Sequence, residues 1–154
     1  MILEKNKTTG MGRNPVSLND DKSGNYPLFK TFLDRELKMS VKEFSVFSKI
    51  GTQTIWMWNQ PNRRVPPYVF KMLELMISAE KLPETIPWRV TGENKDFLAV
   101  FPIVGFSVAT FSELSQLKYP TIRSWSQRKV PGYAFVMLWL VDKDLKMKRT
   151  LNNI

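Results

Sequence analysis

The side chains best suited to chemistry in this 154-residue chain lie in two short polar segments that are rich in hydrogen-bond donors. The segment at 119–129 contains Tyr119, Thr121, Arg123, Ser124, Gln127, Arg128 and Lys129. The segment at 52–64 contains Thr52, Gln53, Asn62, Arg63 and Arg64. A guanidinium can donate two parallel hydrogen bonds to one planar partner, whereas hydroxyls and ammonium groups make single contacts. These residue types favour a binding surface over a reaction centre.

The composition gives catalysis little support. The chain has no Cys and no His, which removes disulfides, thiolate metal sites, the commonest general base and the commonest metal ligand. Glu43, Glu74 and Glu113 have ordinary helix-surface explanations, and there is no Gly-rich phosphate loop and no metal-ligand spacing. We therefore expect a protein that is not an enzyme and uses neither a metal nor a cofactor.

The net charge of +9, from 23 Lys and Arg against 14 Asp and Glu, favours a polyanionic partner, either nucleic acid or an anionic membrane surface. Residues 27–76 carry eight cations against four acids and residues 97–149 eight against three, whereas residues 77–96 carry three against four. The apolar runs at 97–111 and 133–141 are too short to span a bilayer. Glu4 and Lys5 interrupt any apolar signal region. The sequence therefore predicts a cytoplasmic protein that does not enter a membrane.

An internal repeat positions both polar segments. Residues 40–60 align with residues 107–127 without a gap, and residues 65–75 align with residues 130–140, giving 16 identities in 32 pairs. The shared residues include Trp, Tyr, Pro, Thr and Gln at fixed spacing, which convergent amphipathicity would not reproduce. We infer an internal duplication.

Each repeat reads as a series of short helices. Ser40 and Ser107 are predicted N-caps, and Glu43 completes a capping box in the first repeat. A second short helix follows, which Pro120 would begin in the second repeat. Pro66 or Pro131 then begins another helix. The repeated aromatic residues are expected in the core: Trp58, Trp125, Tyr68, Tyr133, Phe70 and Phe135.

The predicted fold is mainly α, with two tandem helix-turn-helix modules joined by a linker rich in Pro and charge. The predicted divisions are a flexible tail (1–26), module one (27–76), the linker or a small extended insertion (77–96), module two (97–149) and a C-terminal tail (150–154). Residues 27–38 should form the first helix of module one. Pro102 argues against a continuous helix over 97–105.

The two modules resemble the helix-turn-helix of repressor/Cro-type (XRE-like) regulators of phages and plasmids. The matching pattern is an apolar residue and a small one (Phe44-Ser45, Phe111-Ser112), an apolar turn residue (Ile50, Leu117), Thr-Ile (Thr54-Ile55, Thr121-Ile122), a Trp three residues later and a Pro at the next helix. It covers about half the chain. The family often has Gly in the turn where this chain has Lys49 and Gln116, and a left-handed non-Gly residue costs about 1 kcal/mol.

The resemblance implies that the second helix of each module enters the DNA major groove. The implied base-reading residues are Arg123, Thr121, Ser124, Gln127, Tyr119, Gln53 and Thr52. Arg123 would grip guanine O6 and N7. The implied phosphate contacts are Arg128, Lys129, Arg63, Arg64, Asn62, Ser107 and Ser40.

Trp56 and Met57 replace Arg123 and Ser124 in module one. They could contact thymine methyls, pack against module two or form a dimer surface, and we favour packing or dimerisation. Two unequal modules could read two half-sites about 34 Å apart that need not be palindromic.

The expected function is sequence-specific binding of double-stranded DNA by a transcriptional regulator of a phage or mobile element, in a bacterial cytoplasm or nucleoid. Two alternatives stay open: a replication, partition or packaging factor, and a protein-interaction adaptor such as an anti-repressor or polymerase-binding protein. RNA polymerase, another regulator or a second copy of the chain could then be partners.

Overall fold

The computed structural model describes residues 24–152, and this part of the chain is helical without strands. In unit one, α1 (Tyr26–Thr31) continues as a π-helical turn (Phe32–Leu37) and is followed by α2 (Val41–Ser48), α3 (Thr52–Met57) and α4 (Pro67–Ser78). In unit two, α5 (Asn94–Val104), α6 (Val108–Ser115) and α7 (Tyr119–Ser124) precede a 3₁₀ turn (Trp125–Gln127) and α8 (Gly132–Asn152). The mainly α prediction is confirmed.

The two units correspond element by element. α2 and α6 have 8 residues each, and α3 and α7 have 6 residues each. Lys49 (φ 64°) and Gln116 (φ 67°) end α2 and α6 in the left-handed conformation, as the missing turn glycine predicted. Each of these residues therefore carries the backbone strain that a glycine would avoid.

The first helix of unit one differs from that of unit two by one residue. The amide of Lys38 donates to the carbonyl of Leu33, five residues back, whereas the amide of Gly105 donates to Phe101, four residues back. Both Lys38 (φ 51°) and Gly105 (φ 85°) are left-handed and lie two residues before the next N-cap. The π-helical turn thus accommodates one extra residue while the flanking elements stay in register.

A phenylalanine from the first helix anchors the core of each unit. Phe29 meets Phe44 at 5.2 Å and Trp58 at 5.6 Å between ring centroids, and Phe97 meets Phe111 at 5.9 Å and Trp125 at 5.6 Å. Burying such a ring stabilises the fold by about 1.5–3 kcal/mol. The core placement predicted for Trp58 and Trp125 is confirmed, and Phe70 and Phe135 are also buried.

The units pack through equivalent elements. α4 of unit one contacts α8 of unit two. In addition, α2 of unit one contacts α8, and the equivalent helix of unit two, α6, contacts α4. Tyr68 and Tyr133, near the starts of α4 and α8, stack with ring centroids 4.8 Å apart. Both are half-buried rather than fully in the core, and burial raises the pKa of each. Equivalent elements of the two units thus contact each other.

The segment between the units is packed rather than loose. α4 extends to Ser78 and α5 begins at Asn94, so the unit boundaries lie inside the predicted linker of 77–96. Ile86 is buried, and the amide of Val130 donates to the carbonyl of Gly92 at 3.0 Å. This segment therefore supports the loop before α8.

Pro102 lies within continuous α5, so the predicted interruption is wrong. Only two helical residues follow it, and Leu98, four residues earlier, lies on the exposed side of the helix. An unpaired carbonyl there can turn to water, which lowers the cost of a proline in a last turn.

The predicted tails also shorten. Residues 1–23 and 153–154 lie outside the described residues, but α8 continues through Asn152. Asn25 is buried and belongs to unit one: its Oδ1 accepts from the amide of Val65 at 2.6 Å, and its Nδ2 donates to the carbonyl of Val65 at 3.2 Å.

Within residues 24–152, no single helix has the length and apolar character to cross a bilayer, although α5 and α6, bent by 92°, reach them when taken together.

Candidate nucleic-acid interface

Paired serines hold the turn between α2 and α3 and between α6 and α7. Ser45 Oγ donates to the carbonyl of Ile50, and Ser112 Oγ donates to that of Leu117, both at 2.6 Å. The amides of Ile50 and Leu117 donate at 3.1 Å to Ser48 and Ser115, which are fully buried. The sequence indicated only a small residue at 45 and 112, so the hydroxyl interactions were missed. These bonds fix how the second helix leaves the turn.

α7 presents Tyr119 and Arg123 on one exposed face. The Arg123 guanidinium lies 5.9 Å from the centre of the Tyr119 ring, one helical turn away. Such a contact with a half-exposed ring restrains the arginine while leaving its hydrogen-bond donors in solvent. Arg123 is therefore available to a planar partner with two acceptors.

Thr121 and Ser124 are half-buried and less available than predicted. Ser124 Oγ donates to the carbonyl of Thr121 at 2.6 Å and accepts from the Arg128 guanidinium at 3.1 Å. Ser124 thus positions Arg128. Gln127 is exposed but lies in the 3₁₀ turn beyond the end of α7, because the helix is shorter than the sequence suggested.

The loop cations differ in exposure. Arg128, Lys129 and Arg63 are exposed, as is Asn62, which is left-handed (φ 63°). Arg64 is half-buried and its terminal guanidinium nitrogens lie beneath the surface, so it is less accessible to a phosphate than Arg63.

Ser40 and Ser107 act as N-caps, as predicted. Ser40 Oγ accepts from the amide of Glu43 at 3.0 Å, and Glu43 accepts from the amide of Ser40 at 2.8 Å. Ser107 Oγ accepts from the amide of Thr110 and donates to its hydroxyl, both at 3.1 Å. These groups are already paired, so a phosphate contact at either serine stays a prediction.

The sequence stretches that contain the two second helices carry charged residues of one sign only. No acidic residue occurs in 44–73 or in 114–141, and each stretch carries four cations. Among the residues that the structure describes, Arg123, Arg128 and Lys129 take part in no ion pair, whereas Lys30, Lys71, Lys146 and Lys148 do. Lys118, exposed at the N-cap of α7, was not predicted and adds to this surface. Its position directly before Tyr119 in the sequence could have identified it as part of this surface.

α3 presents a different surface. Thr52 and Gln53 are exposed, together with 60% of Trp56 and 37% of Met57. Most of the Trp56 side chain is therefore in solvent, so the three alternatives for this pair stay open, with packing against unit two the least favoured for Trp56. A hollow of about 630 Å³ adjoins it and is lined by Tyr26, Val41, Thr52, Gln53, Ile55 and Trp56.

The described residues contain no group of three acidic side chains placed to hold a metal ion. The chain matches no protein-family model, and neither a curated protein nor a solved structure shows significant similarity to it.

Proposed function

We propose that this chain binds double-stranded DNA in a sequence-specific manner through α7 and α3, as a transcriptional regulator rather than an enzyme. One observation carries the proposal: Arg123 is exposed on the second helix of a helix-turn-helix, beside cations that pair with no acid among the described residues. A guanidinium so placed can bind guanine O6 and N7, while Arg128 and Lys129 bind phosphate. A bacterial cytoplasm or nucleoid, and a phage or mobile-element origin, belong to the same proposal.

A replication, partition or packaging factor would use the same interface, and the location of its sites would separate it from a promoter-bound regulator. The adaptor alternative draws on the exposure of Trp56. An adaptor would bind a protein with little dependence on salt, whereas phosphate contacts make DNA affinity fall steeply with salt.

The test is selection from a random duplex pool, followed by anisotropy titration of the selected duplex at several salt concentrations. We expect a discrete motif, and Arg123→Ala should relax one guanine position and weaken specific binding by about 5–150-fold. Arg128→Ala should weaken binding to all sequences alike and reduce the salt slope by about 1.

Arg149→Ala is the matched control, because Arg149 is exposed and lies roughly 25 Å along α8 from the helix end that adjoins α7. It removes the same charge and should leave the motif unchanged. If no motif emerges, or if Arg123→Ala and Arg149→Ala have equal effects, the proposal is wrong.

A further inference from the structure

We propose that α3 reads its half of the DNA site through apolar contact between Trp56 and Met57 and thymine methyl groups. The inference rests on the proposed function and adds the chemistry of the second half-site. The target would then have unequal halves, with a guanine read by Arg123 in one and a thymine at the equivalent position of the other.

The first step is positional. Trp56 and Arg123 are each the fifth residue of a six-residue helix that follows a serine-held turn. Thr52 and Tyr119 are each the first residue, one turn earlier on the same face. The two helices thus present unlike side chains at one equivalent position.

The second step concerns which side of the molecule the helices occupy. The stacked Tyr68 and Tyr133 bring together the starts of α4 and α8, and the loops from α3 and α7 lead directly into these starts. Both second helices therefore lead into the same end of the α4–α8 pair, where one DNA duplex could meet both.

The third step is charge. Trp56 and Met57 lie within 44–73, which contains no acid. Of its four cations, Lys49 and Arg63 are exposed, whereas Lys71 pairs with Glu74 and Arg64 is half-buried. A second copy would bring the same positive charge to this face, which opposes self-association. A polyanion is attracted to it. The favoured interpretation from sequence, dimerisation or packing, therefore gives way to DNA.

The fourth step is recognition chemistry. Thymine alone among the DNA bases presents a methyl group in the major groove. The indole and the thioether are apolar and exposed, and the adjoining hollow combines apolar walls with the hydroxyl of Thr52 and the carboxamide of Gln53. Gln53 can donate and accept hydrogen bonds, so it can pair with the adenine opposite or beside such a thymine.

The experiment uses the full chain and the selected duplex, with each thymidine replaced in turn by deoxyuridine, which removes only the methyl group. Wild type should lose affinity by about fourfold at one or two positions, in the half-site opposite the guanine that depends on Arg123. Trp56→Ala should bind the unmodified duplex more weakly and lose the methyl effect at the position that Trp56 contacts. Arg123→Ala is the matched control and should retain the full methyl effect.

Trp56→Arg, which copies the residue of α7, should replace the thymine preference with a guanine preference. Retention of that preference, or an equal methyl effect in wild type and Trp56→Ala, would overturn the inference. A mass change from dimer to monomer on Trp56→Ala, measured by light scattering, would assign the surface to a second copy instead. Selection of no motif would reject the proposed function itself, so the two failures are distinguishable.

Discussion

The buried hydroxyls of Ser48 and Ser115 each accept the amide proton of a turn residue, Ile50 or Leu117. Alanine at either position would leave a buried N–H without a partner. We expect Ser48→Ala and Ser115→Ala each to lower the free energy of unfolding by about 1–3 kcal/mol. Urea denaturation followed by circular dichroism would measure it.

Ser78→Ala is the matched control because Ser78 is exposed at the last position of α4. It should change the free energy of unfolding by no more than about 0.5 kcal/mol. If all three variants unfold at the same urea concentration, the turn hydroxyls contribute nothing.

Single residues also differ in how well the sequence predicts them. The prediction that Trp58 and Trp125 lie in the core is confirmed, because each large apolar ring is on the same helix face as a buried isoleucine. The same pattern could not predict the hydroxyl bonds of Ser45 and Ser112, which depend on the shape of the turn. Nor could it predict the burial of the Arg64 guanidinium, which depends on the elements packed around it.

The capping box of α2 makes one element sensitive to pH. Hydrogen bonds from the backbone and side chain of Ser40 lower the pKa of Glu43 below its usual value. Because the pKa of Glu43 is lower in the folded state than in the unfolded chain, its ionised carboxylate stabilises the fold. This contribution is present in full above the pKa of the unfolded chain, about 4.3. It is lost as the pH falls through the pKa of the folded state. We expect Glu43→Gln to be less stable than wild type at neutral pH, and the difference to shrink at acidic pH.

Thermal unfolding from neutral to acidic pH would measure this difference. Glu113→Gln, an exposed change on α6 outside any cap, should show no such convergence with wild type. A constant gap between wild type and Glu43→Gln across the range would mean that the charge of Glu43 does not matter. Unit two supplies an internal contrast, since Thr110 occupies the corresponding position and does not ionise in this range.

At the level of elements, the sequence predicted the order of helices better than their limits. The capping serines and starting prolines were local signals and predicted the first residues of α2, α4, α6 and α8 to within one residue. The π-helical turn was not predicted. The first helix of unit one has one residue more than that of unit two, and this difference is recognised only when Phe29 is aligned with Phe97. The predicted interruption at Pro102 is wrong because the energetic cost of a proline in a helix depends on its distance from the helix end and on the solvent exposure of the carbonyl that it leaves unpaired.

At the level of the whole molecule, the repeat predicted two similar units but not how they pack. The faces of α4 and α8 that meet each other are apolar in both repeats. An apolar face of this kind could equally pack inside its own unit, so the sequence pattern does not show which helices contact each other. The structure shows α8 contacting α2 as well as α6, so each unit completes the core of the other. The two units therefore should unfold together, and the relative position of α3 and α7 depends on this shared core.

Gly132, the first residue of α8, tests that dependence. A Cβ at this position would lie 2.7 Å from Cβ of Lys49 at the end of α2, so one of the units must shift. We expect Gly132→Ala to lower the free energy of unfolding by about 1–3 kcal/mol. Lys49→Gly removes the opposing Cβ, so the cost of Gly132→Ala should fall by at least half in that background. Gly51→Ala meets nothing within 4 Å and is the control. Equal costs of Gly132→Ala in the presence and absence of the Lys49 side chain would contradict the contact between units.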